Sequence, residues 1–345
     1  MKIFTKSRML GARVAVPKER RYLADLPFDP KAMRRVAKAV GIDCTRTAPK
    51  GMTCADYAAT AAQELLADLQ IQPAEIDALI FATAYHDLKM PGTTSLIQER
   101  LGLRQDILAF DFVIACTGFV QASLEAAMLI ETGLAEKVLV MVGELPTPAI
   151  NPRDRALLSV CSDNGAAAIY GRSDCRTSFS LETHGSKWRT LTIEAGGSLM
   201  PIEPGKTDRE TVDGNGNYHS PENLVMAGQN LMSFVLEYAP QNLRAAAEGF
   251  GCAVSDFDIY AFHQANALIV TQLAKFMELD LAKVPLALKT MGNIGPSSTL
   301  AALSTRRTES HLWHKAAFCT FGAGLAAASM CTDLSETKFY ELMEI

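Results

Sequence analysis

The 345-residue sequence predicts a layered α/β protein in which two similar halves follow one another. Short apolar runs typical of buried strands alternate with longer segments of helical periodicity, and this alternation predicts helices packed on sheets. The halves also resemble each other, because Pro73–Ala84 and Val254–His263 both place acidic residues just before an apolar strand. Such a repeat indicates a duplication with a boundary near residues 171–180, and hence domains at 1–175 and 176–345.

The individual elements follow from the same patterns along the chain. Apolar residues at helical spacing predict helices, and continuous apolar or β-branched runs predict buried strands. The predicted helices are Ala55–Leu69, Thr93–Gly102 and Gly118–Gly133. The predicted strands are Ala78–Ala84, Lys137–Gly143, Ala166–Tyr170, Asp258–Phe262 and Ala316–Thr320. The polar, turn-rich stretch Gly205–Asn217 predicts a surface insertion or a loop near a substrate entrance.

Composition and charge exclude several classes of protein. Hydrophobic residues make up 48% and charged residues 21%, as in globular proteins. The net charge of -5 gives nucleic-acid binding no electrostatic support. No apolar run reaches the roughly 18 residues of a membrane span, and the first residues lack the apolar core of a signal peptide. The eight cysteines are scattered without a CxxC pair, so we expect a reduced, soluble, cytoplasmic protein without a bound metal.

Cys116 is the first candidate for chemistry. It stands between an apolar, strand-like run and a helix that begins within one or two residues, in the sequence VIACTGF. The positive end of a helix dipole favours the thiolate form of such a cysteine, and the helix amides can form an oxyanion hole. On this segment alone, the alternative is a small buried cysteine that packs as an apolar side chain.

Three further segments carry candidate polar groups. His263 follows the strand run DIYAF, where α/β folds usually place functional residues. Asn293 lies in the glycine-rich turn GNIGP, and Cys319–Ala328 predicts a strand that leads into a turn of small residues. Taken singly, each is compatible with a structural role. Taken together, a nucleophile and polar groups that stabilise an oxyanion or enolate form one functional set.

These segments occur in the same order in β-ketoacyl-acyl-carrier-protein synthase III-like enzymes, which the chain resembles. The shared runs are ACTGF, FHQAN, GNIGPSSTLAAL and FGAGL, and Asn293 follows His263 by 30 residues, as in that family. The stretches Asp154–Tyr170 and Met226–Pro240 are similar too, so the resemblance covers nearly the whole chain. It implies a thiolase-like fold with two duplicated βαβαβαββ halves in a five-layered αβαβα arrangement.

The resemblance also implies roles for individual residues. Cys116 would carry an acyl group, and His263 and Asn293 would drive decarboxylative Claisen condensation with a malonyl thioester. The backbone N–H groups of Cys116 and Ala323 would form the oxyanion hole. Contacts to the substrate or its pantetheine arm are implied for Asn266, Arg155, Gly295 and Met90. The substrates would be acyl-CoA or acyl-carrier-protein thioesters, with no further cofactor.

Family members are usually homodimers in which a loop of one subunit reaches into the pocket of the other. Here that loop corresponds to His86–Gly92, with Met90 at its tip, although Met90 is equally compatible with a plain core or interface position. The chain departs from housekeeping enzymes where they bind coenzyme A, because Arg35 and Ala39 replace a tryptophan and an arginine, and Leu268 replaces another arginine. These departures predict an accessory synthase of a specialised fatty-acid or polyketide-type pathway, including secondary metabolism.

Other condensing enzymes fit the sequence less well. A thiolase requires a second cysteine where this chain has Phe321, with Cys319 two residues earlier, and a GHP run that is absent. The HQAN run differs from chalcone-synthase-like enzymes, and Asp87 is a poor substitute for the glutamate of HMG-CoA synthases. Two alternatives stay open: acyl transfer or non-decarboxylative condensation with a preformed β-keto thioester, and a non-catalytic partner subunit of a heteromeric enzyme.

Overall fold

The computed structural model describes residues 2–345, whose strands form two main sheets and three small ones. The α-helices are α1 (Pro30–Val40), α2 (Cys54–Leu69), α3 (Thr93–Arg100), α4 (Gly118–Glu131), α5 (Arg155–Leu158), α6 (Gly228–Phe250), α7 (Ala267–Phe276) and α8 (Ser298–Ser304). The strands are β1 (Lys2–Phe4), β2 (Ser7–Val16), β3 (Arg20–Tyr22), β4 (Cys44–Arg46), β5 (Ala78–Thr83), β6 (Leu108–Val113), β7 (Lys137–Glu144), β8 (Asn164–Arg172), β9 (Thr177–Thr183), β10 (Leu191–Thr192), β11 (Thr211–Val212), β12 (Tyr218–His219), β13 (Val225–Met226), β14 (Ile259–Phe262), β15 (Ala316–Gly322), β16 (Ala326–Thr332), β17 (Lys338–Phe339) and β18 (Met343–Glu344).

Both main sheets are mixed. The larger sheet has the order β17-β2-β8-β7-β5-β6, with β18 also paired to β2. Its strands β6, β5 and β7 are parallel, whereas β8 is antiparallel to β7 and β2. The smaller sheet has the order β1-β9-β16-β15-β14, in which only β14 and β15 pair in parallel. Each end of the chain joins the sheet formed mainly by the other part of the chain: the N-terminal β1 joins the smaller sheet, and the C-terminal β17 and β18 join the larger one. The domain division at residues 1–175 and 176–345 stays a prediction.

Two helices lie between the main sheets. Helix α4 contacts β5 and β7 of the larger sheet and β1 and β16 of the smaller one, and α8 contacts β2 and β14. On the outside, α2 covers β2, β7 and β8, and α6 covers β9, β15 and β16. The layers therefore run helix, sheet, helix, sheet, helix, as the resemblance implies. The apolar composition of α4 follows from this position, because a helix between two sheets buries most of its circumference.

Close packing between layers requires a small residue in β8. A Cβ atom on Gly165 would lie only 2.2 Å from the backbone nitrogen of Ala58 in α2. Contacts this short do not occur between real atoms, so glycine allows α2 to lie directly on β8.

The strands and helices predicted from sequence are confirmed to within two residues at each end. The 23-residue helix α6 was not predicted, and it contains Pro240, which lacks a backbone donor and normally interrupts a helix. The polar stretch Gly205–Asn217 lies at the surface and includes β11. Among residues 2–345, none of the helices combines the length and the apolar character needed to cross a lipid bilayer.

Candidate active site

A cavity of about 460 Å³ opens at the carboxyl ends of the parallel strands of both sheets. Its wall includes residues that follow β5, β6, β14 and β15, and the last residue of β7. The carboxyl edge of a parallel sheet is where α/β proteins commonly bind their ligands. The sequence candidates Cys116, His263, Asn293 and Ala323 all line this one cavity.

Cys116 lies in the turn between β6 and α4, two residues before the helix begins. Its side chain is partly accessible, and the accessible surface faces the cavity. The end of β15 packs directly on it, because a Cβ atom on Gly322, the last residue of that strand, would lie 2.6 Å from the Cβ and 3.0 Å from the Sγ of Cys116. A residue with a side chain at position 322 would displace the cysteine. Gly322, the first glycine of the FGAG run, thus allows Cys116 and Ala323 to line the same cavity.

The ionisation state of Cys116 differs from the thiolate that a helix N-terminus alone favours. Burial raises the pKa of the Cys116 thiol well above its usual value, and the nearby Glu144 carboxyl raises it further. Desolvation of an anion in an apolar cavity therefore outweighs the attraction of the helix dipole. In the absence of substrate, Cys116 is a neutral thiol.

His263 follows β14 and is 2% exposed. Its Nδ1 lies 2.9 Å from the Oγ of Ser298, and that Oγ accepts a hydrogen bond from the backbone N–H of Gln264 at 3.1 Å. Because the hydroxyl then has its own hydrogen available for Nδ1, we assign the tautomer that carries its proton on Nε2. The ring of Phe321 packs edge-on against the imidazole, with 5.3 Å between centroids.

The surroundings of His263 keep the imidazole uncharged. Burial lowers the pKa of His263 to about 4, against a smaller raising effect of the Gly295 carbonyl. At neutral pH the ring is therefore a neutral hydrogen-bond donor through Nε2.

Asn293 is held by a backbone bridge to the loop before β8. Its N–H donates to the carbonyl oxygen of Val160 at 2.7 Å, and its carbonyl accepts from the N–H of Ser162 at 3.0 Å. Gly292 allows this approach, with a φ of +64° and a Cβ position only 2.5 Å from the Ser162 Oγ. The side-chain Oδ1 accepts from the N–H of Gly295 at 3.0 Å, so the Nδ2 hydrogens are left to bind a ligand.

Two of the predicted substrate-binding residues also line the cavity. Gly295 does so beside Asn293, and Asn266 does so at the start of α7. The Oδ1 of Asn266 caps that helix by accepting from the N–H of Ile269 at 2.8 Å, which leaves its Nδ2 to contact a ligand. The structure does not bring Arg155 or Met90 to the cavity wall: Arg155 begins α5, and Met90 is 85% exposed on its loop. The substrate-binding roles of these residues stay predictions.

Sequence reasoning missed Glu144, which ends β7 and also lines the cavity. It is 4% exposed, and its Oε1 accepts one long hydrogen bond, of 3.4 Å, from the N–H of Ala84. Burial raises the pKa of the Glu144 carboxyl group well above its usual value. The available signal in the sequence was an acidic residue at the carboxyl end of a buried apolar strand.

Most of the remaining wall is aliphatic and suits an acyl chain. It is formed in part by Leu157, Val160, Leu191, Leu224, Leu231 and Ile269. Leu191 and Leu224 lie on either side of the surface stretch Gly205–Asn217 in the sequence, and no residue of that stretch lines the cavity. Within the described part of the chain, no three His, Cys, Asp or Glu side chains cluster in a way that could hold a metal ion.

Comparisons with known proteins agree with this geometry. The chain matches the family 3-oxoacyl-[acyl-carrier-protein (ACP)] synthase III over residues 110–185 and the C-terminal part of that family over residues 248–334. It is 32% identical over 290 residues to the β-ketoacyl-[acyl-carrier-protein] synthase III of Symbiobacterium thermophilum, which covers 83% of this chain and 84% of the relative. It is 27% identical over 333 residues to a putative 3-oxoacyl-[acyl-carrier-protein] synthase 3 of Campylobacter jejuni, covering 94% and 93% of the two chains.

A solved structure confirms the fold predicted from the resemblance. The crystal structure of 3-oxoacyl-(acyl-carrier protein) synthase from Burkholderia xenovorans is similar with a TM-score of 0.91 and 27% identity, over 100% of this chain and 98% of that one. The thiolase-like α/β arrangement is therefore established. With these similarities over most of its length, the chain belongs to the 3-oxoacyl-acyl-carrier-protein synthase III family of condensing acyltransferases.

Proposed function

We propose that Cys116 accepts an acyl group from an acyl thioester and that the loaded site then performs decarboxylative Claisen condensation with a malonyl thioester. The observation that carries this proposal is the shared cavity. Cys116, His263 and Asn293 are far apart in sequence, yet all three line one largely apolar space beside the turn that holds Ala323. A nucleophile and neutral hydrogen-bond donors in a dry cavity are the groups that acyl transfer requires.

The loading step uses Cys116 and two backbone amides. The Sγ attacks the thioester carbonyl, a new C–S bond forms, the bond to the donor sulfur breaks, and the thiol proton leaves with the donor thiolate. The N–H groups of Cys116 and Ala323 would hold the oxyanion, and among residues 2–345 neither donates to an oxygen of another residue. Free amides of this kind stabilise charge as it develops, without reorganisation.

The condensation step uses His263 and Asn293. The Nε2–H of His263 and the Nδ2–H of Asn293 would bind the carbonyl oxygen of the malonyl thioester. Loss of CO2 leaves an electron pair on the α-carbon, which attacks the acyl carbonyl and releases Cys116. Because the pKa of His263 is lowered to about 4, the neutral ring stabilises the enolate but is not a strong acid that would protonate it.

The choice of donor is part of the same proposal. The aliphatic wall accommodates an apolar acyl chain, and Leu268 lies 47% exposed at the cavity where family members place an arginine. A missing cation weakens contacts to phosphate or to an acidic carrier. We therefore place the enzyme in a specialised fatty-acid or polyketide-type pathway of the cytoplasm.

A homodimer is also part of the proposal. Strand β6 lies at the edge of the larger sheet, and its Leu108 and Val113 are 44% and 76% exposed. An apolar edge strand of this kind is suited to pairing with another strand. Val113 also lines the cavity, so a second copy bound along β6 would complete the cavity wall and bring its own loop, with the exposed Met90, to the entrance.

The first prediction concerns acylation. After incubation with an acyl-CoA, intact-protein mass spectrometry should show one added acyl group on the wild type and none on Cys116→Ala. Cys161→Ala is the matched control, because Cys161 is a second cysteine of the same cavity wall and should leave acylation intact. Label on Cys116→Ala, or a wild type that never acylates with a panel of acyl thioesters, would contradict the proposal and favour a non-catalytic subunit.

The second prediction concerns the charge of His263. The pKa of His263 in the folded protein, about 4, lies below the ordinary value of 6.5. The contribution of the neutral imidazole to the free energy of unfolding is therefore complete above pH 6.5 and declines as the pH falls towards 4. Between pH 7 and pH 5 the wild type should lose about 2 kcal/mol more free energy of unfolding than His263→Gln, as measured by urea denaturation at both pH values. Equal losses in the two proteins would show that His263 titrates normally in the folded state.

The third prediction concerns assembly. Light scattering coupled to size exclusion should give a mass near twice the 37.3 kDa of the chain. Leu108→Asp should produce monomers, because it buries a charge against the second copy. Leu281→Asp, at a leucine of similar exposure (46% against 44%) on the other half of the chain, should remain dimeric. A monomeric wild type would refute the proposed dimer.

A further inference from the structure

Glu144 is a buried carboxyl group for which decarboxylative condensation has no use. Removing a carboxyl group from water costs free energy unless partners replace the lost hydration. Among residues 2–345, Glu144 forms no ion pair, and its one protein hydrogen bond, from the N–H of Ala84, is long at 3.4 Å. Its Oε2 has no protein partner among these residues, although the side chain lines the cavity. Burial of the Glu144 carboxyl group therefore costs free energy of folding, and its single long hydrogen bond offsets little of that cost.

The position of Glu144 within the cavity brings it close to the proposed reaction centre. A Cβ atom on Gly295 would lie 2.8 Å from the Cγ of Glu144, and the N–H of Gly295 binds the Oδ1 of Asn293. One glycine thus contacts both side chains. The carboxyl group also contributes to the raised pKa of the Cys116 thiol, which places it within electrostatic reach of the nucleophile.

We propose that Glu144, in its carboxylate form, is a general base that removes an α-proton from an acyl thioester without a second carboxyl group, giving this site a non-decarboxylative condensing activity. The inference rests on the proposed function, because the electrophile is the acyl group carried by Cys116. It adds a class of extender: a plain acyl thioester in place of a malonyl thioester.

The proposed step balances without any further reactant. The α-C–H bond breaks, its proton passes to Oε2 of Glu144, and the electron pair forms an enolate whose oxygen is held by His263 and Asn293. The α-carbon attacks the acyl carbonyl on Cys116, a C–C bond forms, and the C–S bond to Cys116 breaks. The released thiolate takes the proton from Glu144, which restores both groups. The product is a 3-oxoacyl thioester that bears the second chain at C2, and no CO2 is released.

The chemistry of the site suits this role. Burial raises the pKa of Glu144, and a carboxylate that binds a proton more tightly than usual is a stronger base for a carbon acid. A malonyl thioester needs no base, because the bond to its carboxyl group supplies the electrons.

The test uses Glu144→Gln in D2O with octanoyl-CoA as the sole thioester. Wild type should incorporate deuterium at C2 of recovered octanoyl-CoA and form the C2-alkylated product. Glutamine keeps the size and an acceptor oxygen for the Ala84 N–H, so a structural role of residue 144 would survive the change. We expect Cys116 of the variant still to acquire one acyl group, but deuterium exchange to be at least about 100-fold slower.

A matched control distinguishes the cavity carboxyl from a carboxyl elsewhere. Glu125→Gln alters a partly buried carboxyl on α4, outside the cavity wall, whose pKa burial also raises, and it should leave both acylation and exchange unchanged. Undiminished exchange in Glu144→Gln, joint loss of acylation and exchange in that variant, or a wild type that acylates but neither exchanges nor condenses octanoyl-CoA would overturn the inference. A wild type that fails to acylate would instead refute the proposed function.

Discussion

The candidate site depends on the backbone bridge between Asn293 and the loop before β8. Two hydrogen bonds, of 2.7 Å to Val160 and 3.0 Å from Ser162, fix the glycine-rich turn of the second half against the larger sheet of the first. Gly292 permits the contact, since a side chain there would collide with Ser162. Through this bridge, an asparagine beyond β14 reaches the cavity that also contains Cys116, which follows β6.

Desolvation is the second constraint, and it is the largest cause of the pKa shifts of Cys116, Glu144 and His263 in the cavity. It raises the pKa of Cys116 and of Glu144, and it lowers the pKa of His263 to about 4. Cys116 and His263 are therefore uncharged at neutral pH before a substrate binds. Neutral donors in an apolar space stabilise an oxyanion strongly, because water does not screen the interaction. Burial therefore keeps the thiol and the imidazole uncharged in the absence of substrate, and it also strengthens their stabilisation of the negative charge that develops during the reaction.

The sequence predicted the layers and the positions of Cys116, His263 and Asn293, because apolar periodicity and short motifs are local properties of the chain. It did not reveal Glu144, since an acidic residue at the end of a strand can be recognised as part of a site only when the residues that face it across the cavity are known. Nor did it predict α6, where Pro240 contradicts the local preference and packing on the smaller sheet overrides it. The position of Cys116 before a helix favours a thiolate, but burial raises the pKa of its thiol instead. The helix dipole is a local property of the chain, whereas the depth of burial depends on the whole fold.

The central claim is that His263 and Asn293 act on a second thioester after Cys116 has been loaded. The direct measurement isolates the acylated enzyme, adds a malonyl thioester, and follows the acyl mass on Cys116 over time. We expect wild type to discharge the acyl group into a β-keto product, and His263→Ala and Asn293→Ala to load normally but discharge about 100- to 1,000-fold more slowly. Discharge of both loaded variants at the wild-type rate would contradict the account.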